Sequence, residues 1–333
     1  MTAPGGRILI AGVTTHWGRA LAEALSERDE FEVVGLDSEV PPEGIPGVEL
    51  IEADLRNPSV TRVIPDVEPD LVVHCGILWY PEHGEPSRTL HDINVIGTLN
   101  LLAGCERVPG LRAVVVRGSS AIYGTAACRP MFYTEEMAGS APLETRFQRD
   151  IGELEGYVEG FAARRPGVTT CLLRFQPEVG PGLDSPLVRY LSLPVVPVQL
   201  GFDPLLQLLH PADATGALVR AVESPVSGPV NVAPDGSISL SRLLRLTGRR
   251  RLPLPPLVSD LAARRLGGLL HAADLHRDAR LLLRFGRGCD NGRLKRDLGY
   301  RFAFDSEGTA RDFARRVHGL PVPVATVSAG VRA

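Results

Sequence analysis

Lysine is almost absent from this chain: of its 36 basic residues only Lys295 is not arginine. A tyrosine–lysine pair at helical spacing would have to use that residue, and Asn291 stands four positions before it, so no such pair exists. Cysteine is sparse and unpatterned. Cys75, Cys105, Cys128, Cys171 and Cys289 include no CxxC pair, which argues against a metal or disulfide framework and reads as small apolar side chains in a reducing cytoplasm. No apolar run approaches a membrane span, and the first residues lack the apolar core of a signal peptide. Charge of one sign is missing too. The formal net charge is −3, which leaves no basic footprint for nucleic acid or an anionic membrane. No internal repeat is present. A cytoplasmic protein with a small-molecule partner is the expectation.

What the chain does have is 44% hydrophobic residues, over a length that suits one large or two moderate domains. Its organising stretch is Arg7–Leu25. Ile8–Ala11 reads as a strand buried on both faces, Gly12 permits a tight turn, and after Gly18 the residues Leu21, Ala22 and Leu25 recur at helical spacing. Such a unit gathers backbone N–H groups and the positive end of a helix dipole into a pyrophosphate site. The turn reads GVTTHWG, with Thr15 in place of a middle glycine and His16-Trp17 before Gly18. Phe31–Leu36 is a second strand ending at Asp37. That acid is placed to bond adenosine ribose hydroxyls and to repel a 2′-phosphate; equally, it opens the proline-rich loop that follows.

Val48–Ala53 is a third strand, followed by Asp54-Leu55, and Leu71–His74 a fourth, followed by Cys75-Gly76, small enough for a nucleotide to approach the backbone. The loop 77–90 carries Trp79 and Tyr80, which suit a ligand wall and suit ordinary packing as well. Asp92–Gly104 is a helix holding Asn94, and Leu111–Val116 a fifth strand running into Gly118-Ser119-Ser120. Residues 145–164 form a long helix in which Gly152, Gly156 and Gly160 share a face and allow close packing. Thr169–Phe175 is a sixth strand ending at Gln176. This alternation predicts an α/β fold: a Rossmann-type, doubly wound parallel sheet covered on both faces.

Gly12 and Gly18, Asp37, Asp54-Leu55, His74-Cys75-Gly76, Asn94-Val-x-Gly97-Thr98, Ser119-Ser-x-x-Tyr123-Gly124, Leu173-Arg174, Gly180-Pro181 and His210-x-x-Asp213 follow one another in order. Together they resemble the extended short-chain dehydrogenase/reductases, the NAD-dependent epimerase/dehydratase family. The resemblance implies a nucleotide-binding domain over 1–180 with a returning segment at about 206–233. A smaller C-terminal substrate-binding domain is implied over 181–205 and 234–318, and 319–333 reads as a loose tail. It also implies NADPH or NADH as cofactor. The cofactor residues are Gly12, Thr15, His16, Trp17, Gly18, Asp37, Asp54, Leu55, Cys75, Gly76, Asn94 and Gln176. Asp37 favours NADH. The family's reductive biosynthetic role favours NADPH slightly, with Thr15 and His16 as 2′-phosphate contacts.

The family's catalytic tyrosine donates a proton to the carbonyl, and a lysine four residues later lowers its pKa. Aligned on Glu155, those positions hold Phe147 and Ile151. Ser119 stands at the family's catalytic Ser/Thr. The stretches Gly152–Val158 and Leu172–Phe175 resemble an atypical actinobacterial subgroup that includes reductases of aromatic polyketides. The expected function is therefore an NAD(P)H-dependent ketoreductase acting on an angucyclinone-type ketone in antibiotic biosynthesis. Trp79, Tyr80, Ser120, Met131, Tyr133 and Tyr190 are its expected substrate contacts, and the substrate's own hydroxyl is the expected proton source. A catalytically inactive NAD(P)-binding regulator is the alternative. A sugar-nucleotide epimerase or dehydratase ranks last, since its oxidation step needs a base at the tyrosine position.

Overall fold

Ile8, Leu9, Ile10 and Ala11 are each at most 2% exposed, and strand β1 (Gly6–Ala11) accordingly lies inside a sheet with layers on both sides. The computed structural model describes residues 5–80, 87–125, 132–140, 142–255 and 277–319; Met131 and the expected tail beyond Gly319 fall outside them. The other strands of this sheet are β2 (Phe31–Asp37), β3 (Val48–Glu52), β4 (Leu71–His74), β5 (Ala113–Ser119), β6 (Thr169–Phe175) and β7 (Gly228–Val232). They run parallel in the order β7-β6-β5-β4-β1-β2-β3. Chain order reverses between β1 and β4, and ligands of such sheets lie beyond the strand ends at that point.

Helices α2 (Val60–Val67), α3 (Gly97–Cys105) and α4 (Arg146–Arg164) cover one face through Ile64, Leu101, Leu154 and Phe161. Helices α1 (His16–Ser26) and α5 (Pro211–Glu223) cover the other through Leu21, Leu25, Ala217 and Leu218. A third apolar cluster, including Leu187, Leu206, Leu243 and Phe313, is built from residues beyond β6.

Local chemistry sets the boundaries. Helix α4 starts at a capping box in which Thr145 and Gln148 satisfy each other's backbone N–H. Helix α1 begins at His16, earlier than apolar spacing suggests, because Thr15 caps it. The span 92–104 is a π-helical turn, Asp92–Ile96, leading into α3. Strand β5 continues three residues past its expected end, carrying Arg117 into the sheet. Of the glycines spaced along α4, only Gly152 meets a neighbouring segment: an added Cβ would stand 2.7 Å from Leu143, whereas Gly156 faces open space.

At the end of β4, His74 is wholly buried. Its Nε2 lies 2.9 Å from Thr98 Oγ1, whose own proton goes to the Asn94 carbonyl, so Nε2 is the protonated nitrogen. Burial pushes the imidazole pKa down to about 4. Unfolding exposes the ring and restores an ordinary value near 6.5, so below that pH the unfolded chain binds a proton the folded chain refuses. Stability should therefore be full above pH 6.5 and fall as pH drops toward 4. From pH 7 to pH 5 the loss from His74 is about 2 kcal/mol. Urea unfolding at the two pH values measures it, and His74→Val should flatten the dependence.

Candidate active site

The β1–α1 turn is fixed sterically. Gly12 has φ +81°, and a Cβ there would stand 2.4 Å from the Gly76 nitrogen; one on Gly18 would stand 2.0 Å from the Gly12 carbonyl oxygen. Thr15 closes the turn from within. Its hydroxyl donates to the Gly12 carbonyl at 2.7 Å and accepts from Gly18 N–H at 3.1 Å. Among the described hydrogen bonds, the amides of His16 and Trp17 remain without a partner at the positive end of α1. A glycine cradle with two such donors fits a pyrophosphate.

Asp37 stands beside it. One carboxylate oxygen accepts from the Thr14 amide at 2.9 Å and its hydroxyl at 2.7 Å, and the other from the Ser38 amide at 2.8 Å. Asp54 closes onto Arg56 instead, and that hydrogen-bonded guanidinium holds its carboxyl below the usual range. Leu55 offers its carbonyl to Asn100 at 2.9 Å. Asn94 is buried, and its amide clamps both backbone groups of Leu78 at 2.8 Å, so it holds the loop carrying Trp79. Burial pushes the Cys75 thiol up to about 12, leaving its backbone as the group a ligand would meet.

The two expected 2′-phosphate contacts, Thr15 and His16, stand at the start of α1. The Thr15 hydroxyl is engaged within the turn. The His16 ring lies near Gly182, and burial lowers its pKa, with smaller opposing effects of Glu178 and Arg117.

Beyond the turn lies a partly open cavity whose lining includes Trp17, Trp79, Tyr80, Arg117, Ser119, Phe147, Phe175, Gln176, Glu178 and Leu183. Phe147 tilts against Trp79 with ring centroids 6.4 Å apart. Ile151 is packed into the apolar layer beside Leu154. Ser119 Oγ accepts from the Ala121 amide at 3.2 Å and lines the cavity. Three other expected substrate contacts are not on this lining. Ser120 is buried behind the wall with its hydroxyl on Gln176 at 3.3 Å. Tyr133 is buried and stacked on Tyr123 at 4.9 Å. Tyr190 packs in the third cluster and donates to the Pro197 carbonyl. Met131 lies outside the described residues.

Sequence reasoning missed a charged cluster at the mouth of the turn. Arg117 Cζ sits 3.5 Å from the Trp17 ring centroid and 4.9 Å from that of Phe175. Its Nη2 donates to Glu178 Oε1 at 2.7 Å, while Trp17 Nε1 donates to Glu178 Oε2 at 2.8 Å. The available signal was an arginine directly following the apolar run of strand five. One helical turn beyond Phe147, Asp150 pairs with His91 at 2.9 Å, also unforeseen.

The model of the NAD dependent epimerase/dehydratase family matches residues 8–233. An uncharacterized protein of Mycobacterium tuberculosis is 34% identical over 298 residues, which cover 88% of this chain and 79% of that one. The chain belongs to the NAD dependent epimerase/dehydratase family. UDP-glucuronic acid decarboxylase 3 of Arabidopsis thaliana is a more distant relative, 26% identical over 262 residues, 72% of this chain and 73% of that one. In fold, the chain is similar to UDP-glucuronic acid 4-epimerase from Bacillus cereus, solved in complex with NAD. The TM-score is 0.71 at 16% identity, covering 94% of this chain and 99% of that one. Within the family, then, this chain places a phenylalanine where the resemblance expects the proton donor. Among the described residues no helix is long and apolar enough to cross a membrane, and no group of three His, Cys, Asp or Glu side chains could hold a metal.

Proposed function

We propose that the protein is an NAD(P)H-dependent ketoreductase for an aromatic polyketide ketone, of the angucyclinone type reduced in simocyclinone biosynthesis. The observation that carries this reading is the cavity lining. Trp79, Tyr80 and Phe147 border a cavity that also meets Trp17 of the glycine turn and Ser119, and flat aromatic ligands stack on such rings. The turn amides of His16 and Trp17 would hold the dinucleotide's pyrophosphate and Asp37 its adenosine ribose, with NADH or NADPH supplying hydride. Segments 181–205 and 234–318 serve as the substrate-binding domain, a role consistent with Leu183 and Ser185 on the cavity wall.

Hydride addition turns the ketone oxygen into an alkoxide that must be hydrogen-bonded or protonated as it forms. Phe147 and Ile151 have no proton to give. Ser119 orients the oxygen by hydrogen bonding but is a poor acid. A hydroxyl beside the ketone, on the substrate itself, donates the proton, and the protein contributes positioning and exclusion of water. The test follows nicotinamide absorbance with a peri-hydroxylated aromatic ketone and its O-methyl ether. Methylation should slow reduction at least ~100-fold, the scale of a lost general acid. Phe147→Tyr should change the rate little, and Ser119→Ala should leave measurable activity. Equal rates for the two ketones would overturn the mechanism. Oxidation of UDP-sugars with no ketone reduced would overturn the substrate, and absence of turnover with the dinucleotide bound would favour a regulatory role.

A further inference from the structure

Arg117 follows Val114–Val116 in a strand otherwise apolar up to that point, and its side chain is about nine-tenths buried, with 10% exposed. Trp17 and Phe175 lie over the group at 3.5 and 4.9 Å, and Nη2 is engaged by Glu178. Its Nε is buried without a hydrogen-bond partner. That occluded Nε is out of a ligand's reach, but Nη1 is not occluded and has no partner among the described hydrogen bonds, which leaves one edge of the guanidinium for a ligand's oxygen. Arg117 lines the cavity next to Gly118 and Ser119, where the reacting oxygen is expected. Arg287, the other cation on the lining, shares the unpaired Nε, but its Nη1 is held by Thr125 at 3.1 Å and lies 3.5 Å from Asp278.

We infer that Arg117 binds a phenolate oxygen of the substrate, taking over as a fixed positive charge what the absent tyrosine and lysine would have done by proton transfer. A guanidinium does not release its proton near neutral pH, so it stabilises charge and never acts as the acid. In turnover the inference rests on the ketoreductase reading. Hydride adds to the carbonyl carbon, the carbonyl π pair moves to oxygen, and that oxygen takes the proton of the neighbouring hydroxyl. The electron pair of the broken O–H bond stays on the phenolate, held against Arg117 until water returns a proton. The reductant is the nicotinamide, which leaves oxidised. Glu178 tempers the site: it screens Arg117 and anchors it through Trp17.

The probe is 4-nitro-1-naphthol, whose phenolate absorbs in the visible, added to the cofactor-free protein. Trp17 and Trp79 are the chain's two tryptophans and both line the cavity, so fluorescence quenching reports occupancy. The bound probe's pKa should fall by about one unit, a tenfold higher phenolate-to-phenol ratio at a given pH. Arg117→Met should abolish the shift, and Arg117→Lys, which keeps the charge without the fork, should reverse part of it. Glu178→Gln should enlarge it. These opposite signs are not what a merely structural pair gives. The probe's methyl ether should bind wild type and variants alike. An unshifted pKa in the wild type, a shift that survives in Arg117→Met, or a shift removed only by Arg287→Met overturns the inference. Failure here with ketone reduction intact leaves the ketoreductase reading standing; a shifted probe with no ketone reduced leaves the anion site and removes its catalytic use.

Discussion

Gly12→Val should lose dinucleotide affinity by at least ~100-fold, because the substitution combines backbone strain with a backbone collision. At φ +81° an L side chain is disfavoured, and a β-branched one most of all. The added Cβ would lie 2.4 Å from the Gly76 nitrogen and 2.5 Å from its Cα, atoms that cannot rotate away as a side-chain tip can. Relief requires the turns after β1 and β4 to separate, and that carries the His16 and Trp17 amides away from where a pyrophosphate would lie. Strain of this kind alone costs about 1–3 kcal/mol, so the melting temperature should fall as well. Gly110→Ala is the control, since its Cβ would meet nothing within 4 Å. Calorimetry with NADH and NADPH, on variants shown to be folded by circular dichroism, reads the result. Wild-type affinity in Gly12→Val would put the dinucleotide elsewhere.

The glycine turn was legible because sterics there leave a single residue type, and residue type is what a sequence records. Strand β6 was legible at both ends for a similar reason: its apolar run stops at Gln176-Pro177. Strand β5 was cut short because its apolar run ends at Arg117, and the partner that neutralises that charge inside the sheet, Glu178, lies 61 positions away. Trp17 is 161 positions from the same carboxylate. No local pattern encodes contacts at such separations. Tyr133 and Tyr190 show the complementary failure. Their rings suited a ligand wall, but sequence does not give the direction of a side chain, and both point into packed layers. The absence of tyrosine and lysine from α4, in contrast, needed no geometry at all.

Arg174→Leu should destabilise the fold by about 3–5 kcal/mol, the usual cost of stranding one member of a buried ion pair. Arg174 is 2% exposed and Glu155 4%. The guanidinium grips both Glu155 oxygens, at 3.0 and 2.8 Å, and gives its remaining edge to the Tyr123 hydroxyl at 2.9 Å and the Glu135 carbonyl at 2.8 Å. Tyr123 in turn donates to Asn231 at 2.6 Å, so the group ties α4, β6 and β7 together. Burial already pushes the Glu155 carboxyl upward against the pull of Arg174. Without the arginine that push is unopposed, and the Glu155 carboxyl rises further. A folded-state pKa above the unfolded one makes stability largest at low pH and lost as pH rises through it. The deficit relative to wild type should therefore be smaller at pH 5 than at pH 8. Replacing both residues, Arg174→Leu with Glu155→Leu, removes the stranded charge and should recover part of the loss, since apolar substitutes for a whole buried pair are often tolerated. Urea unfolding of the three proteins at both pH values decides the matter. If the single and double variants unfold at the same urea concentration throughout, the penalty comes from Tyr123 and Glu135 and not from the carboxylate.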